Sequence, residues 1–235
     1  MRFGTAGNIL VGALVAGFFF PLAAKAQTCL MLYQLADNNL EFYIRQDYQE
    51  LTNSQVIRNT NLKTWVYYDA LNQGGQALPN TVDSSGNQVG GYTGARYLTW
   101  DSGSGKMRVD QDLGEQNSDN PTVVQNFLEM AMEDCISSGH TSMMAVFSSH
   151  AGGFAGFGGD ENKRRNLLQT NANLAGAIRG ALSSVSGAPD RLEVIGFDAC
   201  LMQAVGVADD FKGVAEYILA SEAVEPGHGK FSTTT

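Results

Sequence analysis

Two residues of the 235-residue chain stand where chemistry would want them, His150 and Cys200. Each follows a candidate central strand, the uninterrupted apolar segment 142–147 before the histidine and residues 191–197 before the cysteine. In open α/β sheets reactive groups collect past the carboxyl ends of the strands, so the two side chains are expected to face one another. A thiol attacks only as its thiolate, and a neighbouring imidazole takes the proton and later returns one to a leaving amine. Acyl transfer is the chemistry that suits such a pair. The plainer alternatives are an inert buried cysteine packing as a small apolar residue and a turn histidine in a glycine-rich loop.

The surroundings favour the first reading. Ser148, Ser149, His150, Ala151, Gly152 and Gly153 bring several backbone amides close to the imidazole, where a developing oxyanion would need donors. Of the other histidines, His140 falls in a helix-to-strand turn and His228 in a glycine-rich C-terminal segment. Asp198 shares a face with Cys200 if the strand pleat continues, and either binds a basic side chain or caps the next helix. Asp160 and Glu161 precede Lys163, Arg164 and Arg165 in the loop after the histidine; they form a solvated charge cluster or a cleavage site within the chain itself.

The N-terminus points to export. Met1 and Arg2 open the chain, residues 9–20 are apolar, and Ala24, Lys25 and Ala26 have the small-x-small form of a cleavage site. Residues 1–26 are therefore expected to be a signal peptide, with one domain over 27–235 in a secreted or endomembrane-lumen protein. A membrane partner follows only if that segment is retained. Its removal takes the net charge from −9 to −11, which excludes nucleic acid and anionic membranes as natural partners. With Cys29, Cys135 and Cys200 in an oxidising compartment, at most one disulfide forms and one thiol remains. If Cys29 and Cys135 pair, they pair with each other. No histidine, cysteine or carboxylate spacing suggests a metal site.

Strands are expected near 29–35, 63–69, 142–147, 191–197 and 217–221, with a short edge strand at 95–100 that turns through glycines into a hairpin. Helices are expected at 40–57, 120–137, 166–182 and 201–211, the second opened by Asn120 as cap and Pro121 at its first position. Residues 72–94 read as a loop. Alternation of strands and helices implies an α/β fold with mostly parallel central strands.

Four stretches in this order resemble the clostripain-like cysteine peptidases of the caspase-like clan. They are Tyr33 with Ala36 to Glu41; Leu113, Gly114 and Glu115 with Asn117; Ser149 to Gly153; and Gly196 to Met202. The resemblance implies a caspase-like three-layer sandwich, a mostly parallel sheet flanked by helices. It also implies a Cys200–His150 dyad, an oxyanion hole from the N–H groups of Ala151 and Cys200, and cleavage after Arg or Lys with Asp198 in the specificity pocket. Calcium is required by some relatives, and some cut their own chain. Ala151 stands where the clan usually has glycine, Lys230 where a tryptophan is usual, and the chain stops at Thr235, short of sheet and pocket residues that the resemblance implies. The chain thus reads as a peptidase domain truncated at its C-terminus, with a catalytically degenerate binding module and a redox role for the odd thiol as competing readings.

Overall fold

The computed structural model describes residues 27–71, 77–91, 93–161 and 169–225. The expected signal peptide, the basic triplet Lys163, Arg164 and Arg165, and His228 and Lys230 lie outside them.

The strands β1 (Thr28–Ala36), β2 (Leu62–Ala70), β3 (Thr81–Val82), β4 (Gly94–Asp101), β5 (Lys106–Gly114), β6 (Ser142–Ser148), β7 (Leu192–Asp198) and β8 (Ala215–Leu219) form one sheet. Its order is β3-β5-β4-β2-β1-β6-β7-β8. From β2 to β8 every neighbouring pair is parallel, while β4 runs antiparallel to β2 and β5 antiparallel to β4. The helices are α1 (Glu41–Asn53), α2 (Pro121–Ser137), α3 (Asn171–Ser184) and α4 (Val205–Asp210).

Strand alternation divides the core into two layers. Cys29, Met31, Tyr33 and Leu35 of β1 are fully buried in the cluster that also holds Val124, Phe127, Leu128 and Ala131 of α2 and Leu174 and Ile178 of α3. The opposite face packs Val66, Tyr68 and Leu98 against Ile44 and Tyr48 of α1. The result is an α/β sandwich of three layers. The start of α2 is fixed as its residue types predict: the Asn120 side chain accepts from the Thr122 N–H at 3.0 Å, and Pro121 occupies the first position, where no donor is needed.

Several expectations need correction. Residues 95–100 do not form an edge strand; β4 lies between β2 and β5. Helix α1 stops at Asn53 and a separate 3-10 turn covers Val56–Arg58, because Ser54 is extended. Thr170 caps α3, its hydroxyl accepting from the Asn173 N–H, so that helix begins at Asn171 and not at 166. Helix α4 is six residues long, since Leu201 takes a left-handed φ of 63° and Ala204 is extended, so that the helix begins only at Val205. Part of the expected loop supplies the two-residue strand β3.

Cys29 and Cys135 form a disulfide that ties β1 to α2 across 106 residues of sequence, with Cα atoms 5.8 Å apart. Cys200 is the free cysteine. No helix of the described residues is long and apolar enough to cross a membrane. Closing so long a loop restricts the unfolded chain strongly, so replacing both Cys29 and Cys135 by alanine should cost about 2–5 kcal/mol. Urea denaturation of the parent and the double variant, each without reductant, measures it; coincident curves would show that the bridge contributes nothing.

Candidate active site

The pairing of β6 with β7 sets the site. Ser148 lies opposite Asp198 in that parallel register, so His150 and Cys200 each stand two residues beyond a matched pair. Both then line one cavity of about 230 Å³, together with Ser149, Asp198, Ala199, Leu40, Ile44, Asp47, Val224 and Glu225. The structure thus brings together three of the residues singled out by sequence, His150, Cys200 and Asp198.

The histidine loop is held from several sides. The Gly152 N–H donates to Gly156 O and the Gly158 N–H to His150 O, both at 2.9 Å, closing a tight turn below the imidazole. Phe157 in that turn is fully buried and meets Phe147 of β6 edge-on. Asn38, buried at the end of β1, directs its side-chain amide to Leu35 O, Ser149 Oγ and Gly159 O at 3.0–3.1 Å, while its Oδ1 accepts from the Leu40 N–H. One side chain therefore pins β1, the start of α1 and both arms of the histidine loop. Asn39 Oδ1 lies 2.7 Å from His150 Nε2. With an amide oxygen as partner, Nε2 carries the hydrogen and Nδ1 keeps the lone pair that a base needs. Burial lowers the pKa of the half-buried imidazole, and the Glu161 carboxylate partly opposes that shift.

The cysteine loop leaves β7 at Asp198 and is fastened by the Leu201 N–H to Ala223 O and the Gln203 N–H to Ser221 O, at 3.0 and 2.9 Å. Leu201, in its left-handed conformation, is one of two non-glycine residues with positive φ among those described. A bulky residue so held stores roughly 1–3 kcal/mol of strain. It meets the histidine loop at Gly153, whose φ is 60° and where a Cβ would come within 3.1 Å of Leu201 O. Cys200 Sγ accepts from the Glu225 N–H at 3.3 Å.

Not every amide of the histidine loop is available. Gly152 N–H is committed to Gly156, whereas the N–H groups of Ala151 and Cys200 have no hydrogen-bond acceptor among the described residues. Ala151 does not take a positive φ, so the alanine substitutes for glycine there without backbone strain. His140 belongs elsewhere: it sits before β6, beside Trp100, in a separate cavity.

Asp160 is fully buried and lies outside the cavity. Its Oδ2 accepts from the Ser118 N–H at 2.8 Å, and Asp119 accepts from the Gly159 and Asp160 N–H groups at 2.8 and 3.0 Å. Ser118 Oγ donates to Asp69. Oxygens of Asp37, Asp69 and Asp160, all buried, lie within 4.8 Å of one another. Burial, with Asp37, Glu115 and Asp160 nearby, pushes the Asp69 carboxyl up to about 8 despite its bond to Ser118. Asp69 Oδ1 has no hydrogen-bond partner among the described residues. Carboxylate oxygens with such an orphan fit a hard cation such as calcium.

Sequence reasoning missed Asn38 and Asn39 as positioning groups, although both lie in the stretch that carried the resemblance. It also missed Asp47 and Glu225, which nothing near His150 or Cys200 in sequence announces.

A model described as the clostripain family matches residues 32–231. No curated protein matches the chain. Among solved structures, a secreted C11 cysteine protease from Bacteroides thetaiotaomicron in complex with an irreversible peptide inhibitor is similar with a TM-score of 0.65 and 21% identity, covering 89% of this chain and 55% of that one. An inactive zymogen C11 protease from Parabacteroides distasonis gives 0.57 and 21%, covering 87% and 51%. The chain thus spans about half the length of these proteins.

Asn38→Ala should destabilise the fold by about 1–3 kcal/mol, because it strips hydrogen bonds from buried polar groups. Urea denaturation checks this; an unchanged midpoint would show that the loop is held by other contacts.

Proposed function

The chain belongs to the clostripain family, and on that premise we propose that it is a cysteine endopeptidase cutting after Arg or Lys, with Cys200 as nucleophile and His150 as acid and base. The observation that carries the reading is the shared cavity, in which thiol, imidazole and the Asp198 carboxylate converge beyond two adjacent parallel strands. In the proposed course the Cys200 sulfur, having given its proton to His150, attacks the scissile carbonyl carbon. The oxyanion is met by the N–H groups of Ala151 and Cys200. His150 then hands the proton to the leaving amine, and a thioester remains. Water, deprotonated by His150, attacks that thioester, the sulfur departs as thiolate, and His150 returns the proton to it, which restores the starting state. Asp198 offers a carboxylate to a cationic side chain of the substrate.

Asp37, Asp69 and Asp160 would hold a calcium ion, whose charge would offset their carboxylates once the Asp69 proton had left. A secreted location is supported by the Cys29–Cys135 bridge, which forms in oxidising compartments, and by the secreted relative. A second reading, a secreted binding module without turnover, is favoured by the engagement of Cys200 Sγ with the Glu225 N–H.

Purified protein should release the amine from Arg- and Lys-ended peptide amides, with no release by Cys200→Ala and a 10²–10⁴-fold loss on the order of general acid–base catalysis in His150→Ala. Release that survives Cys200→Ala rules the peptidase reading out. Active protein should show the acid limb of kcat below pH 6.5, the ordinary value for histidine, since burial lowers the pKa of His150. A limb above 6.5 would contradict the neutral-base role.

A further inference from the structure

The cavity beside Cys200 has a second acidic wall. Leu40, Ile44 and Asp47 all line it, at the three- and four-residue spacing that puts side chains on one face of α1. Leu51 continues that face into an adjoining cavity, which Asp47 and Asp198 also line. An aspartate thus interrupts the face at a position where apolar neighbours would favour an apolar residue. It is half-buried, and no described residue donates it a hydrogen bond or pairs with it as a cation. Among the described residues, those lining the two cavities include Asp47, Glu50, Asp198 and Glu225 and no lysine or arginine. Carboxylates gathered in a partly dry cleft repel one another, and a cation brought from outside relieves that repulsion.

We infer that Asp47 of α1 and Asp198 of β7 act together as the two acidic walls that hold the basic side chain of a substrate beside Cys200. This rests on the proposed peptidase reading and deepens it, because specificity then comes from a helix distant in sequence as well as from the residue two before the nucleophile. Burial first, and then the charges of Asp198 and Glu50, push the Asp47 carboxyl up to about 7. Across the cavity it faces His150, Cys200 and Glu225. Below pH 7 Asp47 takes up a proton and loses its charge, so a cation is held more weakly at pH 6.5 than at pH 8. His150 gains charge only below its lowered pKa and contributes little in that interval.

Agmatine, which carries a guanidinium and has no bond to cut, tests this without turnover. In calorimetry at pH 8 the Cys200→Ala chain should bind it, and adding Asp47→Asn should weaken binding about tenfold, the loss of a hydrogen bond to a charged group. The same change should flatten the dependence between pH 6.5 and 8, while Asp47→Glu retains both. On an Arg-ended peptide amide, Asp47→Asn alone should raise KM about tenfold and leave kcat within twofold. Equal agmatine binding with and without Asp47→Asn overturns the inference, as does an absence of binding at pH 8. Labelling of Cys200 by a thiol-reactive peptide ending in arginine judges the peptidase reading separately. Labelling without any effect of Asp47→Asn sinks the inference alone.

Discussion

The in-register parallel pairing of β6 with β7 is the constraint on which the candidate site depends. Ser148 opposite Asp198 places two loops at the same height above the sheet, and each delivers its reactive group two residues later. A slip of one residue would turn every side chain of one strand to the other face and separate thiol from imidazole. The register is guarded by burial. Phe147 and Phe197 stack with ring centroids 5.8 Å apart on the face packed by α2 and α3, and neither has an exposed alternative. The geometry of the candidate site and core packing are in this sense one interaction seen from two ends of the strand.

Much of this was legible in the chain itself, for physical reasons that differ by element. The run 142–147 is almost wholly apolar, and in both β6 and β7 the side chains on the face packed by α2 and α3 are buried, so the strand signature is strong. The Asn120–Pro121 start of α2 is local chemistry and reads without knowledge of the fold. The position of β4 was not legible, since the identity of its neighbours depends on pairing across the sheet and not on the strand's own residues. The turn between Cys200 and α4 was hidden for a similar reason: leucine rarely takes a positive φ and alanine favours helix, so neither Leu201 nor the extended Ala204 warns of it. Asn38 and Asn39 looked like turn residues, which they are, and their bonds to Ser149 and His150 span 111 residues of sequence.

Two acidic environments lie close together and differ in kind. Asp119 and Asp160 accept backbone N–H groups and stitch the histidine loop to the segment before α2, while Asp69 is desolvated enough to hold its proton near neutral pH. Asp47 and Asp198 face open space beside Cys200. The first group fixes the loop in place; the second gives its cavity a sign. Both contribute to a chain with net charge −9, yet neither is part of a merely solubilising surface.

The bridge between Cys29 and Cys135 has a consequence for the remaining sulfur. A bond that locks β1 to α2 is made and kept where oxidants prevail. Cys200 stands half-buried and unbridged in the same molecule, and a free sulfur at an accessible cleft is the group such a medium would convert to sulfenic acid. The scaffold and the proposed nucleophile therefore make opposite demands on redox potential, and small reductants that reach the cleft but not the buried bridge would restore one without loosening the other.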